Sequence, residues 1–292
     1  LLLRRASTPP PFKAKGQLEV TVKPEVILSS GKNYTASIDR KTGDLTSYKL
    51  KGIEQLIAPL KLNFWRPLTD NDQRFRQLGR QSKIWQDLPS KLKTISVTRK
   101  GNRIIVVQKL QEKAIITRHY TLSGDGRILV NLELDADPSL PELLRFGMTM
   151  GVPKALSQST YYGAGPWASY SDRKRSIEID QFSFKTDQLF HNYAMPQENG
   201  NRTATRWLKL TSPQGNGIQI TGAPKFGFNI WPYTQEAIDA AKHPYDLKDQ
   251  DFYTVNIHLR QTGHGGMRAR PFPHQTIPAG NHHFSFEIGP AN

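Results

Sequence analysis

Residues 94–137, TISVTRKGNRIIVVQKLQEKAIITRHYTLSGDGRILVNLELDAD, alternate apolar and polar side chains almost without interruption. A period of two places every second side chain on one face, so this stretch can bury a single sheet surface but not a helical stripe. Lys-Gly-Asn and Ser-Gly-Asp-Gly separate the β-branched runs, which makes the stretch a meander of antiparallel strands. The pattern recurs upstream in LEVTV, VIL and YTASIDRKTGDLTSYKL, where Lys-Thr-Gly-Asp is a hairpin signal and Gly43 can take a positive φ at little cost. Two helix-like segments interrupt it. Residues 73–88 predict one short helix with Trp85 and Leu88 as its docking side chains, and residues 236–248 predict another, stopped by Pro244 with His243 near its end. With 292 residues, 37% of them hydrophobic, the chain has material for one large antiparallel β-sandwich over residues 17–292.

Residues 1–16, LLLRRASTPPPFKAKG, carry three consecutive prolines among small and basic residues, an extended linker by composition. The three leading leucines are too short an apolar run for a signal peptide, so the sequence reads as beginning inside a longer protein. No run approaches the ~20 apolar residues of a membrane-spanning helix, and no membrane partner is expected. Without cysteine there are neither disulfides nor thiolate metal sites, and the compartment, cytoplasmic or periplasmic, stays open. The formal charge of +15 suits an anionic partner, but the basic residues are spread along the chain with no recognition helix or basic stripe, so no nucleic-acid partner is expected.

Three blocks stand out from the strands: NFWRPLTDND (residues 63–72), YYGAGPWASYSDR (161–173) and YAMPQENGNRTATRW (193–207). Residues 161–173, with two glycines, a proline and a closing Ser-Asp-Arg, read as a long loop crossing one sheet face, with Asp172 tying it down. Asp70 and Asp72 invite an acid–base reading, but at i and i+2 they fit capping or turn hydrogen bonds better. His119 reads as a satisfied strand histidine. His258, His264, His274, His282 and His283 lack a carboxylate at ligand spacing, so no metal site is expected in the chain. Walker A, Rossmann and Gly-x-Ser-x-Gly signatures are absent from the sequence.

Together, in this order, the three blocks resemble the C-terminal (small-chain) region of the bacterial β-galactosidases of glycoside hydrolase family 2, a likeness that covers nearly all of residues 17–292. The resemblance implies an antiparallel β-supersandwich of the galactose mutarotase-like kind. It implies a retaining hydrolase whose two glutamates, ~5 Å apart, lie in a separate (β/α) barrel, so no catalytic residue is expected here. Magnesium and sodium would belong to that barrel. The chain's expected work is to pack on the barrel, wall its sugar pocket and support contacts between copies, with upstream domains and a β-galactoside or related glycan as partners.

The candidate substrate-binding residues are Arg268, Phe272, Trp167, Glu198, Asn199 and Arg202, although Glu198, Asn199 and Arg202 also fit a buried network bracing the loops. Two departures matter. Ala168 or Ser169 stands where relatives carry an acid, and Met267-Arg268 replaces a segment bearing an acidic pair and the tryptophan that forms the galactose platform. Arg268 would put a cation where relatives put a flat apolar face. The alternative function is a non-catalytic carbohydrate-binding or assembly module, with Trp65, Trp167, Trp207 and Tyr170 as stacking candidates. Mutarotase-like catalysis by a His and Glu pair rests on fold analogy alone.

Overall fold

A computed structural model describes residues 12–74, 81–266 and 270–291. The first six strands are β1 (Glu19–Val22), β2 (Val26–Gly31), β3 (Tyr34–Asp39), β4 (Leu45–Leu50), β5 (Ile53–Glu54) and β6 (Ala58–Asn63). After the helical region come β7 (Leu92–Lys100), β8 (Arg103–Leu110), β9 (Ala114–Leu122), β10 (Ile128–Ala136), β11 (Arg145–Pro153) and β12 (Gln158–Gly165). The last five are β13 (Glu178–Lys185), β14 (Arg202–Thr211), β15 (Gly217–Trp231), β16 (Phe252–Gln261) and β17 (Asn281–Pro290). Every pairing among them is antiparallel.

Strand β15 is where the two layers part. Its first half pairs with β17 at Ile218–Gly222 and its second half with β16 at Gly227–Trp231, while β14 runs along its other edge. From β17 the sheet continues through β10, β9 and β8 to β7; from β16 it continues through β11, β6, β4 and β3 to β2 and β1. Side chains between the two branches form one apolar core that includes Ile104, Val130, Leu132, Phe146, Met148, Ile220, Phe228 and Phe286. The meander read from the sequence is β7 to β10, and in β8, β9 and β10 buried positions alternate with outward ones. Strand β11 is instead buried along eight successive residues, because β6 and β16 flank it and both of its faces are covered.

Of the helix expected over 73–88, residues 75–80 lie outside the described set; the described residues form α1 (Asp70–Arg74), α2 (Lys83–Gln86) and α3 (Leu88–Lys91). Asp87 leaves helical geometry between α2 and α3 just ahead of Pro89, which cannot supply an amide to a continuing helix. Trp85 and Leu88 are buried, and the Trp85 indole N–H donates to the Pro141 carbonyl at 2.9 Å. The second predicted helix is α4 (Gln235–Ala240), capped by Thr234, whose Oγ1 accepts from the Ala237 amide at 3.1 Å. It ends well before His243, which instead precedes a separate turn where Asp246 accepts from the Lys242 and His243 amides. No helix among the described residues is long and apolar enough to cross a membrane.

One further expectation changes in the structure. Residues 161–173 are not one long loop: residues up to Gly165 belong to β12, and only 166–173 leave the sheet. Gly163 and Gly165 sit within the strand because a Cβ at either would press on Thr205 or on Tyr161 and Phe182. Of the linker, Leu1 to Pro11 lie outside the described residues. Phe12 to Gly16 dock on the turn after β9, where Lys15 and Ser123 exchange two hydrogen bonds and Arg127 lies over the Phe12 ring.

Candidate functional site

The connection after β6, the start of β11, the 166–173 loop, the 191–202 segment and the adjoining stretches of β15 and β16 meet at one end of the sandwich. Their meeting point is Glu198. Its Oε2 accepts from the Arg145 guanidinium at 2.8 Å, and both side chains have no exposed surface. Its Oε1 accepts from Asn229 Nδ2 at 2.5 Å, Gln261 Nε2 at 3.1 Å and the Tyr170 hydroxyl at 3.4 Å. Beneath the pair, the Arg145 guanidinium lies over the Trp231 ring at 5.5 Å.

A second buried cation completes the arrangement. Arg66 pairs with Asp72 at 3.1 Å, again with both side chains inaccessible, and donates to the Thr262 carbonyl at 2.7 Å and to Gln261 Oε1 at 3.3 Å. Asp72 also closes a reciprocal cap at the start of α1: its Oδ2 accepts from the Thr69 amide at 3.2 Å, while Thr69 Oγ1 accepts from the Asp72 amide at 3.3 Å. Asp72 therefore serves as cap and counter-ion. Asp70, by contrast, is exposed and meets Gln197 at the surface.

Burial acts against the charges of Glu198, Arg145 and Arg66. It pushes the Glu198 carboxyl above the ordinary glutamate range, opposed by Arg145 and Arg66, and it brings Arg145 down to about 10 against the pull of Glu198. Both partners of one ion pair thus shift towards neutrality, a sign that desolvation outweighs their mutual attraction. Arg145 is nonetheless cationic at neutral pH, and four donors converge on the Glu198 carboxyl group. Arg66 moves up, since Asp72 and Glu198 overcome the lowering by burial. The Tyr170 phenol is raised well above its usual value by burial and by Glu198.

His258 is lowered well below the histidine range by burial and by the two arginines, which keeps it neutral. It fits because its cross-strand neighbours on both sides, Gly147 on β11 and Gly227 on β15, have no side chains. A Cβ on Gly227 would run into the imidazole, and one on Gly147 would meet the β16 backbone.

The candidate residues read from the sequence divide into two groups. Glu198, Asn199 and Arg202 are buried, with at most 5% of their surface accessible, and all three are engaged within the chain. Asn199 Oδ1 accepts from the His191 amide and its Nδ2 donates to the Gln197 carbonyl, both at 2.9 Å. The Arg202 Nε donates to the Tyr161 hydroxyl at 3.0 Å and its Nη1 to the Gly200 carbonyl at 2.9 Å. Trp167 and Phe272 are in the open, 70% and 67% exposed. Arg268, with Met267, lies outside the described residues. Of the other stacking candidates Trp65 and Tyr170 are buried, and Trp207 is half-buried with Lys209 over its ring.

The loops bearing the two exposed rings are fastened together. Asp172 Oδ2 accepts from the Gly265 amide at 2.7 Å, Ser171 Oγ donates to the Gln275 carbonyl at 3.2 Å, and the Tyr170 ring packs on His264 at 4.0 Å. Among the described residues no three His, Asp or Glu side chains stand close enough to hold a metal ion.

Sequence reasoning missed Arg145, Asn229, Gln261 and His258 as parts of this network. The available signal was a charge at the head of an otherwise apolar run, LLRFGMTMGV, where an arginine must find an anion once both faces are covered.

A family model described as the β-galactosidase small chain matches residues 30–288. The chain belongs to the β-galactosidase small-chain family. A β-galactosidase of Priestia megaterium is 30% identical over 287 residues, covering 96% of this chain but 28% of that protein. One from Halalkalibacterium halodurans is 29% identical over 263 residues, covering 87% of the chain and 26% of the relative. The chain thus spans about a quarter of the length of the curated relatives it matches.

Among solved structures, a candidate aldose 1-epimerase from Escherichia coli K12 superposes with a TM-score of 0.54 at 11% identity, covering 94% of this chain and 99% of that one. The GalM/aldose epimerase homologue of Caenorhabditis elegans gives 0.50 at 9% identity, covering 95% and 99%. At such identities the likeness establishes the fold: this small chain has the galactose mutarotase-like, antiparallel β architecture. The network around Glu198 links the 166–173 loop and the 191–202 segment to β11, β15 and β16.

Proposed function

We propose that this chain is the accessory β-sandwich of a retaining β-galactosidase, packing on a catalytic barrel that other residues supply and walling one side of its galactoside pocket. The observation that carries the reading is the sealing of Glu198. The one acid in the 193–207 block is ion-paired, bonded to three further donors and closed to solvent, so it is unsuited to protonating a glycosidic oxygen or attacking a sugar. In this reading the network does mechanical work: it fixes the loops that carry Trp167 and Phe272, whose exposed faces meet the barrel or the sugar. Magnesium and sodium act at the barrel, and a β-galactoside or related glycan is the substrate.

The test is hydrolysis of a chromogenic β-galactoside by this chain alone and by the full-length gene product, side by side. Turnover is expected only when the barrel is present. Turnover by the chain alone would overturn the proposal, and saccharide binding by the chain with no hydrolysis in either sample would favour a carbohydrate-binding module.

A further inference from the structure

The sequence contains the dipeptide Asn-Gly twice, at Asn199-Gly200 and Asn216-Gly217. Asn-Gly is the most labile setting for an asparagine amide, because glycine offers no side chain to hinder its own backbone nitrogen. That nitrogen can attack the preceding Asn Cγ, forming a C–N bond and expelling ammonia to leave a five-membered succinimide. Water then opens the ring at either carbonyl, giving aspartate or isoaspartate. Local sequence makes the two sites equal in this chemistry; their surroundings make them opposite.

At Asn199 both amide atoms are held, its carbonyl accepts from the Trp231 indole at 3.0 Å, and the residue is buried beside Glu198. The Cγ cannot swing towards the Gly200 nitrogen without breaking those bonds. Asn216 lies in the exposed turn between β14 and β15, where its carbonyl accepts from the Ser212 amide at 2.8 Å and its side chain makes no hydrogen bond among the described residues. Around the neighbouring Gly215 there is open space. Among the described residues none bonds the Asn216 side chain, and the residue is exposed to water.

We infer that Asn216 is a self-modification site of this protein, converting to aspartate and isoaspartate by attack of the Gly217 nitrogen while Asn199 is protected by the fold. The glycine itself is required: a Cβ at residue 217 would collide with the Leu210 carbonyl across the β14–β15 ladder. The liability is therefore built into the turn. Conversion removes one unit of positive net charge, and the isoaspartate form adds a backbone methylene. That addition falls where Gly217 accepts from the Ala291 amide at 2.9 Å and the ends of β14, β15 and β17 meet.

The whole chain, incubated in mildly alkaline buffer where the attacking amide nitrogen is more readily deprotonated, is followed by peptide mass mapping with isoaspartate-specific methylation. Asn216 is expected to convert at least about a hundredfold faster than Asn199, since reaction at a buried, bonded site waits on local unfolding. In urea the two sites should react at similar rates, and Asn216→Gln should abolish the fast conversion. Equal rates in the folded protein, an unreactive Asn216, or a rate ratio that survives urea would each overturn the inference.

Discussion

Replacing Glu198 by methionine leaves Arg145 without its carboxylate in a buried site it cannot leave, while Arg66 keeps Asp72. Arg145 loses a 2.8 Å charge-assisted bond, and the Asn229, Gln261 and Tyr170 donors lose their common acceptor. Removing one member of a buried ion pair costs about 3–5 kcal/mol, mostly through the stranded partner. For a chain of this length a change of 1 kcal/mol moves Tm by about 2 °C, so Glu198→Met should lower it by about 6–10 °C. Arg145→Met strands Glu198 and should cost a similar amount. The double variant leaves an apolar pair over Trp231 and should recover much of the loss, giving a favourable coupling of at least about 1.5 kcal/mol in a urea-unfolding cycle. A Glu198→Met midpoint within about 0.5 kcal/mol of the parent, or additive single effects, would refute the brace.

Two other outcomes follow from the same site. His258 is held neutral in the fold, so the unfolded chain binds its proton first as pH falls below the usual histidine value of 6.5. Stability should then drop with falling pH by up to about 1.4 kcal/mol per unit, to which the more weakly lowered His119 adds in the same sense. Urea midpoints, followed as pH falls from 7.5 to 6, should drop more steeply in the parent than in His258→Gln; equal slopes would show that His258 is protonated in the fold. Trp167→Ala, at an exposed ring, should leave the chain's stability within about 0.5 kcal/mol. In the full-length protein it should lower kcat/KM for a galactoside by about tenfold, the scale of one aromatic contact, and unchanged kcat/KM would remove Trp167 from the pocket wall.

Much of the architecture was legible in residue order. The period of two in β7 to β10 and the turn signals between them follow from local chain geometry, and the structure has those strands. The blocks at 63–72, 161–173 and 193–207 marked the loops that gather at one end. Their chemistry was less legible. Asp72 pairs with Arg66 six residues away, but Glu198 finds Arg145, Asn229 and Gln261 from 31 to 63 residues distant, and a pattern along the chain carries no trace of such meetings. Helix length failed in the second region, 236–248, for a related reason: α4 stops at Ala240, and Asp246 ties the Lys242 and His243 amides into a separate turn.

Sequence alone determined that this chain makes short antiparallel strands, contains no cysteine chemistry and carries the family's loop blocks, because strand period, turn propensity and composition are properties of neighbouring residues. Tertiary structure decided which side chains those blocks close off. Glu198, a candidate acid in the sequence, becomes a buried counter-ion once β11, β15 and β16 are laid side by side. His258 has room only because Gly147 and Gly227 lie on either side of it. The two Asn-Gly dipeptides, identical on the page, are separated by the same cause: burial and hydrogen-bond partners are assigned by what the sheet brings alongside, not by what is next in the chain.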